Sequence, residues 1–91
     1  MNQEQFLLFL ADQGLPEPVL VERESGELGE HRHAFEARAL ILEGSLTIHI
    51  EGISTEYFPG DEFFLFADQS HSESYGPQGV KYLVSRKTLT Q

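Results

Sequence analysis

Residues 26–44, GELGEHRHAFEARALILEG, decide the fold. Gly26 and Gly29 mark Ser25–Glu30 as a loop, and from His31 to Leu42 the chain reads as one long strand closed by a Glu43-Gly44 turn. On a strand, alternate side chains share a face. His31, His33, Phe35, Ala37, Ala39 and Ile41 therefore point one way: two imidazoles at one end, apolar side chains behind them.

Working outward, the same period of two continues with turn signals at short intervals. Pro18–Glu24 reads as a first strand, Ser45–Ile50 follows the Glu43-Gly44 turn, and Glu51-Gly52 leads to a short strand near Thr55–Phe58. Pro59-Gly60-Asp61 is a third turn, with Asp61 in its usual turn-closing place, followed by strands at Glu62–Phe66 and His71–Tyr75. Gly76-Pro77-Gln78-Gly79 then turns the chain into Val80–Lys87. Phe63, Phe64, Leu65 and Phe66 are expected to be buried on both sides of their strand. Residues 2–13 form the one helical segment: Asn2 can cap it, Gln5 can complete a capping box, and Gly14 with Pro16 stops it. Its apolar stripe is Phe6, Leu7, Phe9 and Leu10. The expected class is all-β, a small antiparallel β-barrel or jelly roll, with the helix at about 2–13 and the barrel at about 18–87 of one domain spanning 1–91.

Composition removes several functions. Fifteen Asp+Glu against six Lys+Arg give a formal net charge of −9, which argues against nucleic acid as a partner. With no cysteine there is no thiolate nucleophile, disulfide or Cys-ligated metal site. The first apolar run, Phe6–Ala11, lacks a preceding positive charge and is too short to cross a membrane, so no membrane association and a cytoplasmic location are expected. Seven of the acids fall within residues 1–30, which reads as a solvated face that aids solubility.

The chemistry rests on histidines. His31 and His33, two apart on a strand, have Cα atoms about 6.6 Å apart and can converge on one ion. His71 lies far along the chain and strengthens the case only if the fold brings it near. Glu73, two residues after His71, shares its face and can be a metal ligand, a general base, or a carboxylate at the rim. Tyr75 and Tyr82 can face the interior, where a phenol would orient a ligand. His49 alternates with Ile48 and Ile50 and is expected to be exposed.

The stretch from Gly26 through His31-Arg-His33 to Glu43-Gly44 resembles the first signature of the cupin superfamily, and Gly60–Tyr75 resembles the second, with His71 at the second signature's histidine position. The two span roughly residues 26–75. The resemblance implies a small conical β-barrel with His31, His33 and His71 at its mouth as ligands to one divalent transition metal: Zn, Fe, Ni, Mn or Cu. The tail Ser74–Arg86 resembles that of short bacterial cupins consisting of little besides the barrel. The pattern also has departures. Ala37 stands where its glutamate ligand is expected, and Glu36 could substitute only through a bulge. Phe66, Asp68 and Tyr75 replace the proline, glycine and asparagine of the second signature.

The expected function is a small-molecule site: a three-histidine metal centre binding or transforming a small oxygenated compound, with dioxygenase- or isomerase-like chemistry. Phe35, Ala37, Ile41, Tyr75 and Tyr82 would form the substrate pocket, with Glu73 as the catalytic candidate. A non-catalytic small-molecule-binding or sensor barrel, with or without metal, is the alternative; an inward-facing Glu73 favours chemistry. A third reading is a histidine cluster responsive to pH. Exposed sheet edges on so short a chain suggest a homodimer.

Overall fold

Two long strands organise the molecule. In the computed structural model, which describes residues 1–88, the order is α1 (Gln3–Asp12), β1 (Val19–Arg23), β2 (Gly26–His31), β3 (Phe35–Ile50), β4 (Ile53–Tyr57), β5 (Glu62–Leu65) and β6 (His71–Thr88). β3 and β6 pair antiparallel from Phe35↔Thr88 to His49↔Ser72. The outer edge of β6 carries β1 along Val80–Val84 and β2 along His71–Tyr75; the outer edge of β3 carries β5 along Ala37–Leu40 and β4 along Leu46–Ile50. The result is one rolled, wholly antiparallel sheet with a short helix on its outer face, the all-β barrel expected from the strand pattern.

Four boundaries differ from the sequence reading. The single strand expected over His31–Leu42 is broken, because His31 ends β2, His33 lies in the connection and β3 begins at Phe35. Ser25–Glu30 is not a loop, because Gly26–His31 is strand β2. Glu43-Gly44 and Gly76–Gly79 do not reverse the chain, because β3 and β6 run straight through them. Instead the register slips at Ile41/Glu43 and again at Gly44/Leu46, where residues 76–79 are accommodated between Tyr75 and Val80. Bulges of this kind kink a strand, which lets both long strands bend around a core. The Glu51-Gly52 hairpin is as expected: both residues have positive φ (49° and 79°), the signature of a two-residue type I′ turn.

The core has two layers. Val21, Ala37, Ala39, Ile41, Leu46, Ile48, Phe63, Leu65, Val80, Tyr82 and Val84 fill the inside of the roll. Ala37 and Ala39 are small residues in the middle of its concave face, leaving room for Phe63 from β5 and Tyr82 from β6 to meet edge-to-face at 5.5 Å. Outside, Phe6 and Leu10 of α1 cover Leu40 and Leu83, a cross-strand pair. Asn2 and Gln5 form the capping box that starts this helix. Of its expected stripe, Leu7 is exposed, and Phe9 is only partly buried. The β5 strand is likewise not covered on both faces: Phe63 and Leu65 are buried, Phe64 is half-buried, and Phe66 lies beyond the strand and is 62% exposed.

Candidate metal centre and cavity

The three histidines arrive from two segments that the fold zips together. His31 ends β2 and His71 begins β6, and the two are direct cross-strand partners, so both rings leave the same face with centroids 4.3 Å apart. His33 follows in the short connection to β3; its ring stacks on Phe35 at 4.8 Å and meets His31 edge-on at 4.8 Å. The connection is fixed by the Asp68 amide, which donates to the His33 carbonyl at 2.6 Å. Asp68 has φ of +60°, a conformation that suits glycine and that aspartate tolerates better than most residues. It stands where the second signature has glycine, the residue that most readily takes such a conformation.

The ligand atoms of His31, His33 and His71 lie within 4.8 Å of one another, a group able to hold a metal ion. Their protonation is set from behind. His31 Nδ1 donates to the Gly29 carbonyl at 2.7 Å and His71 Nδ1 to the Gln69 carbonyl at 2.9 Å. A carbonyl only accepts, so in each neutral ring the proton sits on Nδ1 and the Nε2 lone pair faces inward. Burial, then the neighbouring His31 and His71, lower the pKa of His33 below its ordinary 6.5, favouring the neutral form that binds metal.

Glu73 completes the cluster. It is 8% exposed, and its Oε2 lies 3.2 Å from His71 Nε2 and 3.4 Å from His31 Nε2. His31 Nε2 is buried and no hydrogen bond reaches it from the described residues. With both rings neutral, two lone pairs and a carboxylate oxygen face one another, an arrangement that a cation, or a shared proton, between them would reconcile. The distances of Glu73 Oε2 to the two histidine nitrogens also suit an ion, since donor atoms about 2.1 Å from a common centre lie roughly 3.0–3.4 Å apart in octahedral or tetrahedral arrangements. The histidine set itself, spread over up to 4.8 Å, would have to draw in slightly. The residues present therefore fit a divalent metal. Tyr75 donates to the other carboxylate oxygen, Oε1, at 3.2 Å. Burial, and then the Glu73 charge, raise the pKa of that phenol above its ordinary 10.

The cluster opens into a small cavity of about 80 Å³, lined by Phe35, Ala37, Phe63, Leu65, Tyr82 and Val84. Of the expected pocket residues, Phe35, Ala37, Tyr75 and Tyr82 lie on this lining. Ile41 does not; it is 1% exposed and belongs to the core beneath. Glu36 faces the opposite side of the sheet beside Arg38 and Phe64, so no bulge turns it toward the histidines. His49 is half-buried rather than exposed, held between Ser54 Oγ at 2.6 Å and Ser74 Oγ at 2.9 Å. Leu28 and Val84 on the lining escaped the sequence reading, as did the two cations there, Arg23 and Arg86. Arg86 had a legible signal, since Tyr82, Val84 and Arg86 alternate on one face of β6.

A rolled antiparallel barrel with histidine-bearing segments meeting at one end of its interior is the cupin architecture, and solved structures of that fold resemble this chain. A cupin-2 domain protein from Shewanella frigidimarina matches with a TM-score of 0.66 and 22% identity over 75% of this chain. A cupin superfamily protein from Desulfitobacterium hafniense matches with a TM-score of 0.67 and 20% identity over 77%. The polyketide cyclase RemF from Streptomyces resistomycificus matches with a TM-score of 0.64 and 26% identity over 87%. The chain spans 66%, 64% and 60% of their respective lengths. No protein-family model matches the sequence, and no curated protein does. The fold of the chain is that of the cupin superfamily. Among the described residues, no helix is long and apolar enough to cross a membrane.

Proposed function

We propose that the chain holds one divalent transition metal through His31, His33 and His71, with Glu73 beside them, and that it binds and transforms a small oxygenated molecule by proton transfer. The observation that carries this reading is the buried convergence of His31 Nε2 and His71 Nε2 on Glu73 Oε2, with both Nδ1 protons committed to backbone carbonyls. When bound, the metal supplies Lewis acidity toward a substrate oxygen or, if redox-active, activation of dioxygen.

The chain's own groups supply the rest. Glu73 Oε2 is placed to take a proton from a substrate hydroxyl or an acidic C–H, while the Tyr75 hydroxyl holds Oε1 in place. Tyr82, its phenol pushed up to about 12 chiefly by burial, remains a protonated donor facing the cavity. Phe35, Phe63, Leu65 and Val84 keep water from the reacting atoms. RemF is a polyketide cyclase of the same fold, which supports a catalytic use of such a barrel.

The test is deuterium exchange from solvent into the α C–H of small hydroxy- and oxo-carbonyl compounds, followed by NMR with Zn²⁺-loaded protein. Exchange is expected with wild type, is lost in His71→Ala, and falls by about 10²–10⁴ in Glu73→Gln. Thermal stabilisation by a compound without exchange or turnover would favour a non-catalytic binding barrel instead.

A further inference from the structure

We infer that the molecule taken by this site is an anion, a small carboxylate-bearing compound whose carboxylate is held by Arg86 and Arg23 at the cavity mouth. The inference names the substrate class of the site proposed above and rests on that reading. The chain has only six cationic Lys and Arg residues against fifteen acids, yet two of its arginines line this one cavity. Both are exposed while the residues behind them are buried, which places them at the mouth. Glu73 is the sole acid on the lining, so two guanidiniums against one carboxylate leave the cavity at +1 in a chain of −9, before any metal.

Neither arginine is neutralised from within. Among the described residues the ion pairs involve Lys81, His31 and His71, and none involves Arg23 or Arg86. Arg23 Nη1 donates to the Glu22 carbonyl and its guanidinium also reaches the Tyr75 hydroxyl, two neutral partners that leave its charge and part of its fork for a ligand. Arg86 lies over the Phe35 ring at 5.6 Å, and Phe35 stacks on His33, so the guanidinium is held one ring away from a metal-ligating imidazole. Its cross-strand partner explains why it is unpaired. Ala37 sits directly opposite Arg86, and directly opposite residues of an antiparallel pair share a face. A methyl group thus stands where a carboxylate would have satisfied Arg86, and a ligand carboxylate can take that place, since a planar guanidinium binds a carboxylate through two parallel hydrogen bonds. A ligand bound this way would lie between the arginines and the histidine cluster with Glu73.

The experiment is calorimetric titration of the Zn²⁺-loaded protein with lactate, malonate and benzoate and with lactamide, the uncharged analogue of lactate, repeated on metal-free protein, with zinc content measured on every sample. Wild type is expected to prefer lactate by at least about tenfold, and Arg86→Gln to weaken lactate by at least about tenfold. Arg23→Gln should act in the same direction, with lactamide affinity and zinc content unchanged in both variants. Both variants lie at exposed positions, so folding is expected to survive and is checked by thermal unfolding. Lactate affinity within about twofold of wild type in both variants overturns the inference, as does failure of wild type to bind lactate, malonate or benzoate. Absence of zinc from wild type would overturn the metal reading alone, since lactate binding by the metal-free protein still reports on the arginines.

Discussion

Glu73 ties the cluster together: one oxygen faces two imidazole nitrogens and the other takes the Tyr75 hydroxyl. Removing its charge while keeping its shape should weaken metal binding by about 10–100-fold, as loss of a ligand or its closest support does. Competition titration of Glu73→Gln with a chromogenic chelator checks this; an unchanged affinity would mean the carboxylate is a bystander. Part of this was legible in the chain. The spacing of His71 and Glu73 put them on one face, and that of His31 and His33 made a pair. The meeting of His71 with His31 was legible only through the resemblance to the cupin signatures, because forty residues separate them and the β2–β6 register is what makes them neighbours. The arginines were missed for a related reason. A charged residue at a strand end reads as solvated, and nothing in the sequence says that Arg86 has Ala37 as its cross-strand partner.

At the scale of elements, the bulged long strands set the curvature, and two glycines make it possible. Gly44 (φ 76°) and Gly79 (φ 73°) sit where β3, β6 and β1 crowd together; a Cβ on Gly44 would strike the Gly79 carbonyl, and one on Gly79 the Arg23 carbonyl. Gly44→Ala therefore carries a left-handed strain of roughly 1–2 kcal/mol and a backbone collision costing roughly 1–3 kcal/mol more. It should lower Tm by at least about 8 °C. Gly29→Ala, on β2 with open space around it and no positive φ, should change Tm little. Equal effects in a thermal melt of the two variants would show that the crowding does not control the fold. These glycines also explain the misplaced turns. Glu43-Gly44 and Gly76–Gly79 have turn composition, but β3 and β6 continue beyond them because cross-strand pairing on both sides holds their direction. The Glu51-Gly52 turn was legible because its neighbours Ile50 and Ile53 pair directly across it.

For the molecule as a whole, two properties follow from the closed interior and the open edges. Tyr82 has its phenol pushed up to about 12, first by burial and then by the Glu73 charge. The fold prefers the neutral phenol, so this contribution to stability is complete below pH 10 and is lost as pH rises toward 12. Phenolate absorbance of the metal-free protein should rise in more than one stage, and Tyr82→Phe should remove the latest; a single transition near pH 10 would contradict this. The path of the sheet ends at β1 and β4, where Val19, Leu20 and Ile53 are exposed, the edges on which the homodimer expected from the sequence would form. Light scattering should then give about twice the 10.3 kDa chain mass, and the monomer mass would count against it. The central claim is that His31, His33 and His71 hold a metal, and it is tested most directly by elemental analysis of protein purified without an affinity tag and incubated with Zn²⁺, Mn²⁺ or Fe²⁺. The account predicts about one equivalent of metal in wild type and loss of it in His31→Ala and His71→Ala. Less than about a tenth of an equivalent of every metal in folded wild-type protein would contradict it.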